Sequence, residues 1–244
     1  MPLVFGDADV IKVRCDLHIH TALSPCANRE MTPTNIVNMA TLVGANVIAI
    51  TDHNSCRNAR AVAEAAGQKL IVLPGLEVWT KEDVHMLCLF GNMAIAESFG
   101  ADVYARLPAR QGDSDLFGQQ YFFDAGSRII GWEEQLLLSP TTFGVDELCR
   151  AVLDLGGIVI PAHVDRTYGL ATQLGFIPEH LPIRLIEVSK GRKQPASTRS
   201  YPYITNSDAH NLSVLAANVP WELEIEKCSP EGVVKALKEK YPYE

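Results

Sequence analysis

Two histidines one residue apart, in Asp16-Leu17-His18-Ile19-His20, constrain what this chain can fold into more than any other feature. They close a run in which Val13, Cys15 and Leu17 alternate with polar residues, the pattern of a strand. Successive strand side chains point to opposite faces, so His18 and His20 share a face, with Asp16, and can close on one divalent ion. A lone His-x-His carries little weight. Its value depends on whether the rest of the chain delivers further ligands to the same strand end.

The chain does deliver them. Strand-like runs at 13–20, 47–51, 70–73 and 84–90 alternate with helices. Thr32-Pro33 opens a helix, with Thr as N-cap and Pro at the first helical position, and Gly44 ends it. An Ala-rich helix over 56–66 stops at Gly67. Strand–helix–strand units of this length predict a parallel sheet. The stretch 92–142 breaks the rhythm: a helix over 93–107, then a polar segment with Gly112, Asp113 and Ser114, read as an inserted cap or loop. Alternation resumes with a helix over 145–155 and strands at 157–161, 185–188, 203–205 and 219–225. A helix capped by Ser229, with Pro230 at its first position, closes the chain.

Strand after strand carries a metal-ligand residue type: Thr51-Asp52-His53, Gly75-Leu76-Glu77, His85, Pro161-Ala162-His163 and Ser207-Asp208-Ala209-His210. In parallel α/β folds chemistry collects at the C-terminal strand ends, where these residues converge. Any one of these histidines alone reads as an ordinary polar residue. Six of the seven at strands, several beside carboxylates, read as a metal cluster; His180, in a Pro-bounded segment, reads as surface.

As a set, and in this order, the motifs from Asp16 to His210 resemble the PHP (polymerase and histidinol phosphatase) superfamily. The resemblance implies a single domain over 1–244: a distorted (β/α)7 barrel with an inserted cap or loop segment. It implies two or three divalent ions (Zn, Mn or Fe) and hydrolysis of a phosphate mono- or diester by a metal-bridging hydroxide. In that scheme His18 and His20 hold one ion with Glu77 and Asp208, Glu77 bridges to a second with His85 and His163, and His53 and His210 hold a third. Where some members complete the third site with a further His, this chain has Ser24-Pro25-Cys26. Cys26 is then either a thiolate ligand favouring zinc or a plain loop cysteine. Glu77 and Asp208 are the catalytic carboxylates, and Arg166 and Lys190 the candidate phosphate clamps, each weighed against a solvated loop charge. Arg192 reads as solvated and Tyr168 as packing. Asp52 reads as either a support for a ligand histidine or a helix cap.

Two other readings stay in view. Amidohydrolase barrels also begin with His-x-His, but they bridge their metals with a Lys after the middle strand. Here Glu77 holds that place and Lys190 comes after His163. A non-catalytic PHP-like platform with structural metals is the other. The net charge of -8 argues against an extended nucleic-acid surface and, with the length, for a small phosphorylated metabolite or short nucleotide. The six cysteines lack C-x-x-C spacing, and neither a signal peptide nor a membrane-length apolar run is evident. These features predict a reduced, cytoplasmic protein with no membrane partner. No sequence feature sets the oligomeric state.

Overall fold

The computed structural model describes residues 10–112 and 114–242. Asp113 and residues 1–9, on which the reading of the N-terminus rests, lie outside them. The chain runs β1 (Ile11–Ile19), α1 (Pro33–Leu42), β2 (Val47–Ile50), α2 (Ala59–Ala66), β3 (Ile71–Trp79) and β4 (His85–Leu89). Next come α3 (Met93–Tyr104), α4 (Ser114–Phe117), β5 (Tyr121–Phe123), β6 (Ile129–Trp132), α5 (Val145–Asp154), β7 (Ile158–Pro161) and α6 (Leu170–Leu174). It closes with β8 (Ile186–Glu187), β9 (Tyr203–Ile204), α7 (Leu212–Ala216), β10 (Trp221–Ile225) and α8 (Pro230–Lys240).

Six strands form one curled sheet in the order β10-β1-β2-β3-β4-β7, and β8 pairs with β9 beside it. Two narrow seams bend this into a ring. Val164 N–H donates to the Glu187 carbonyl at 2.9 Å, joining β7 to β8. At the other seam, Ile19 bridges Ala209 in parallel, with His20 N–H on the Ala209 carbonyl at 3.1 Å. The strands β1, β2, β3, β4, β7, β8 and β9 thus follow one another around a distorted barrel. The expected all-parallel order fails at β4, which runs antiparallel to both β3 and β7. The reason is the short β3–β4 connection, too short for a parallel crossover. Reversal puts the start of β4, and so His85, at the barrel end where the parallel strands finish.

Pro74 and Gly75 punctuate the sequence but not the strand: β3 runs through both. Its first half pairs in parallel with β2, as far as Ile50 opposite Pro74, and its second half pairs with β4 from Gly75 opposite Leu89 onward. Proline has no ladder donor, and it falls where the partner changes. Gly75 is needed for close approach, since a Cβ there would lie 2.9 Å from the Cys88 carbonyl and 2.7 Å from Leu89 Cδ2.

The interior is filled by Val13, Cys15, Val47, Ala49, Leu73, Leu87, Leu89, Ile158 and Ile160, closed below by Val233 and Leu237 of α8. A second cluster lies between the sheet and the surrounding helices, with Ile36, Ile48, Val62, Val72, Phe99 and Leu148 among its members. Both proline-led helices form: α1 has Pro33 in its first turn, and the Ser229 hydroxyl of α8 accepts from Gly232 N–H at 3.1 Å. Within the inserted stretch α3 packs into the main core through Phe99, while β5 and β6 make an antiparallel hairpin absent from the sequence reading. Among the described residues no helix is long and apolar enough to cross a membrane.

Gly75→Ala is expected to lower unfolding stability by about 1–3 kcal/mol through overpacking between β3 and β4. Urea denaturation checks this; an unchanged midpoint would show that the two strands can part freely.

Candidate metal centre

Regular alternation accounts for much of the site. On β2 and β3 the inward residues Ala49 and Leu73 lead in steps of two to His53 and Glu77. On β4, Leu87 and Leu89 lead back to His85. Two ligands need an irregularity. Leu17 belongs to the interior, so strict alternation would turn His18 outward, but the register of β1 against β2 slips between Asp16 and Ile19. Likewise Ala162 faces inward, and His163 joins it because its backbone is left-handed, at φ 28°. Asp208 has φ 48°, also rare for a residue with a side chain. Such backbone concentrates at functional sites.

The Glu77 carboxylate lies at the centre, 1% exposed. Its Oε1 lies 3.1 Å from His85 Nδ1 and 3.0 Å from His163 Nε2, and its Oε2 lies 3.0 Å from His53 Nδ1 and 3.3 Å from His20 Nε2. Burial alone would raise its pKa, yet His85, His53 and His18 outweigh that and hold it well below the usual carboxylate range. A second knot joins His18 Nε2, His20 Nε2 and Asp208 Oδ1, at 3.1, 3.2 and 3.4 Å. His20 also forms a third group with His53 and His210. Burial and then His20 drive the His210 pKa down to about 2, and burial likewise drives His53 well below its ordinary value.

Hydrogen bonding behind the rings decides which nitrogens face the centre. His18 Nδ1 lies 2.9 Å from Glu187 Oε2, and a carboxylate only accepts, so Nδ1 carries the proton. The Ser24 hydroxyl donates to Asp52 Oδ1 at 2.7 Å, so at 2.9 Å it must accept from His20 Nδ1. In the neutral rings both Nε2 atoms then present lone pairs, which cannot hydrogen-bond to each other. A metal cation, or a proton taken up between the rings, satisfies two lone pairs and a carboxylate 3.1–3.4 Å apart. Donors about 2.0–2.1 Å from one tetrahedral ion lie about 3.3 Å apart, which is this spacing. His53 Nδ1 and Asp208 Oδ1 are also buried without a hydrogen-bond partner, as ligand atoms would be, and so are His85 Nε2 and His163 Nδ1, the ring nitrogens opposite those that face Glu77. Burial lowers the His18 pKa, but Glu187 and then Glu77 pull it up to about 10, so the same spot draws positive charge even without a metal. The residues therefore fit divalent ions.

The remaining candidates are placed less uniformly. Arg166 lines the cavity of about 240 Å³ above Glu77, and its guanidinium pairs with Asp208. Tyr168 lies flat on His85, with ring centroids 4.9 Å apart, and also lines that cavity. Lys190 does not line it and donates to the Ala217 carbonyl. Arg192 lies 3.7 Å from Asp165. Cys26 is exposed and belongs to none of the three donor groups. Asp16 turns away from the metal donors, accepting from Ser207 N–H and Asn218 Nδ2.

One important residue escaped the sequence reading. Glu187 is buried, orients His18, accepts from His163 N–H at 2.9 Å and takes Asn206 Nδ2 at 2.8 Å. Burial opposes its ionisation, but His18 and His163 hold its pKa down to about 2. The available signal was a lone carboxylate inside the apolar strand Leu185-Ile186-Glu187-Val188.

No family model matches the sequence. The chain is 28% identical over 174 residues to the 5'-3' exoribonuclease Rnm of Salmonella typhimurium, covering 67% of this chain and 56% of that protein. Among solved structures it resembles the lesion-specific endonuclease PfuEndoQ of Pyrococcus furiosus, with TM-score 0.68 at 18% identity over 94% of this chain and 56% of that one. It also resembles a Bacteroides vulgatus two-domain protein containing a predicted PHP-like metal-dependent phosphoesterase, with TM-score 0.58 at 17% identity over 97% of this chain and 65% of that one. These structural likenesses establish the curled α/β barrel fold. The chain spans little more than half the length of the exoribonuclease and the endonuclease it matches.

These relatives overturn the expectation of only a small phosphorylated substrate or short nucleotide without an extended nucleic-acid surface, since an exoribonuclease and an endonuclease act on nucleic acids. Net charge averages over the whole surface and does not report the cations at the mouth of one site.

Glu187→Gln is expected to weaken divalent-metal binding about 10- to 100-fold while the protein stays folded, because it removes the charge that orients His18. Competition against a chelator measures this. Wild-type affinity would mean that Glu187 does not act on the centre.

Proposed function

We propose that this chain is a metal-dependent phosphoesterase that cleaves phosphodiester bonds in nucleic acid. The observation that carries this reading is the convergence of five histidines, His18, His20, His53, His85 and His163, on the single buried carboxylate of Glu77. The three overlapping donor groups support two or three ions, and their mix of imidazole and carboxylate suits zinc, manganese or iron. Bound divalent ions supply Lewis acidity, acidifying water and neutralising phosphoryl charge.

The chain's own residues do the rest. Glu77 faces five imidazoles at once through two oxygens and would hold ions together with them. Glu187 and Ser24 keep the protons of His18 and His20 on the far side of each ring, leaving Nε2 free as a donor. Arg166, at the cavity mouth and paired with Asp208, presents planar N–H groups that match phosphoryl oxygens. Tyr168, stacked on His85, walls the side of the cavity. The nucleic-acid assignment rests on the two nuclease relatives.

The metal-loaded protein is expected to hydrolyse RNA or DNA oligonucleotides. Asp208→Ala is expected to abolish that activity, and Arg166→Ala to lower kcat/KM by about 100-fold, roughly 2.7 kcal/mol of transition-state stabilisation. Steady-state assays with labelled oligonucleotides check both. Full activity of Asp208→Ala would refute the site, and turnover of phosphomonoesters alone would refute the substrate class.

A further inference from the structure

The inserted hairpin and the metal donor His20 are joined by an unbroken line of hydrogen bonds through buried side chains. We infer that Asn58 and Thr21 are positioning residues for His20, and that the hairpin β5–β6 is what orients Asn58. This goes beyond the proposed reaction, which assigns neither residue a role.

Asn58 is 1% exposed and all its polar groups are engaged. Its Oδ1 accepts from Phe123 N–H at 3.1 Å, and its Nδ2 donates to the Tyr121 carbonyl at 3.0 Å, so the backbone of β5 fixes which way the amide faces. The same Nδ2 donates to Thr21 Oγ1 at 2.8 Å. With that acceptor position filled, the Thr21 hydroxyl proton goes to Asp52 Oδ2 at 2.7 Å. The other oxygen of Asp52 takes Thr21 N–H and the Ser24 hydroxyl, both at 2.7 Å. Ser24 Oγ in turn accepts from His20 Nδ1 at 2.9 Å and from His53 N–H at 3.1 Å.

Polarity is consistent along the whole line. Each hydroxyl proton points to Asp52, each hydroxyl oxygen faces a donor, and the only arrangement left for neutral His20 has its Nε2 lone pair toward Glu77 and Asp208. Burial raises the Asp52 pKa, opposed by His20 and by the hydrogen bonds from Thr21 and Ser24; in its ionised form Asp52 makes Ser24 Oγ a better acceptor, which raises the donor strength of His20 through its second nitrogen. The hairpin side is equally fixed. Tyr121 N–H donates to the Ala22 carbonyl at 2.9 Å, and a Cβ on Gly118, at φ 88°, would run into the Pro25 carbonyl. The inserted segment is therefore built onto the 21–28 loop that follows the first ligand strand.

Thr21 allows a clean test, because valine keeps its shape and serine keeps its hydroxyl. Three variants of the full chain are compared: Thr21→Val, Thr21→Ser and Asn58→Ala. Affinity for Mn²⁺ is measured by chelator competition, and the visible absorption of the Co²⁺-loaded protein reports ligand geometry. Thr21→Val and Asn58→Ala are expected to weaken binding about tenfold or more and to alter the Co²⁺ bands, while Thr21→Ser stays within about twofold of wild type. If Thr21→Val lowers thermal stability but leaves affinity and spectrum unchanged, the relay is only structural and the inference fails. It fails equally if serine does not restore what valine removes. Should Thr21→Val not fold, Asn58→Ala reads the same line from the hairpin side, and a wild-type spectrum there overturns the inference. Since the probes are metal ions alone, none of these outcomes depends on the substrate.

Discussion

A carboxylate buried among imidazoles is the constraint on which the rest of the structure depends. Glu77 sits at 1% exposure inside a barrel otherwise packed with Val, Leu, Ile and Ala. An isolated charge in such surroundings is prohibitively costly, so it must be met by positive charge at short range. The fold gathers imidazoles able to hold a cation around it from every side: His53 from the end of β2, His85 from the hairpin partner β4, and His163 from the end of β7, with His18 and His20 arriving from β1. No single segment could do this, which is why the strands must curl until β1 and the segment that follows β9 meet at Ile19 and Ala209.

The irregularities of the barrel follow from the same demand. A regular parallel strand would carry an inward residue of β4 to the wrong end, and the antiparallel turn corrects this. The slipped register at Asp16–Ile19 and the left-handed backbone at His163 and Asp208 each turn a ligand inward at a local cost. Behind these histidines, Glu187 and Asp52 form two carboxyl supports, one holding His18 directly and the other holding His20 through Ser24. First-strand ligands thus lean on residues far apart in sequence.

Much of this was legible in the sequence, for physical reasons. Period-two alternation and proline or glycine punctuation located most strands and helices, because those signals are local. The candidate ligand residues stood out because His and Asp at the ends of apolar strands have few other reasons to recur. What sequence could not supply was anything set by a partner strand. Pro74-Gly75 reads as an end of β3, and only the change of neighbour from β2 to β4 explains why the strand continues. The β5–β6 hairpin has weak alternation and is held by Asn58 and the Ala22 carbonyl, contacts invisible to local pattern. Glu187 hid in a strand as one polar residue, and Lys190 resembled a clamp only because its tie to Ala217 is tertiary.

The most direct measurement is urea unfolding of the wild-type chain and of Glu77→Gln, each with and without a saturating divalent metal. If the donors around Glu77 form a metal centre, metal at about 1,000 times its Kd should add about 4 kcal/mol to wild-type stability and far less to Glu77→Gln. Equal stability of the wild-type protein with and without metal would contradict the account.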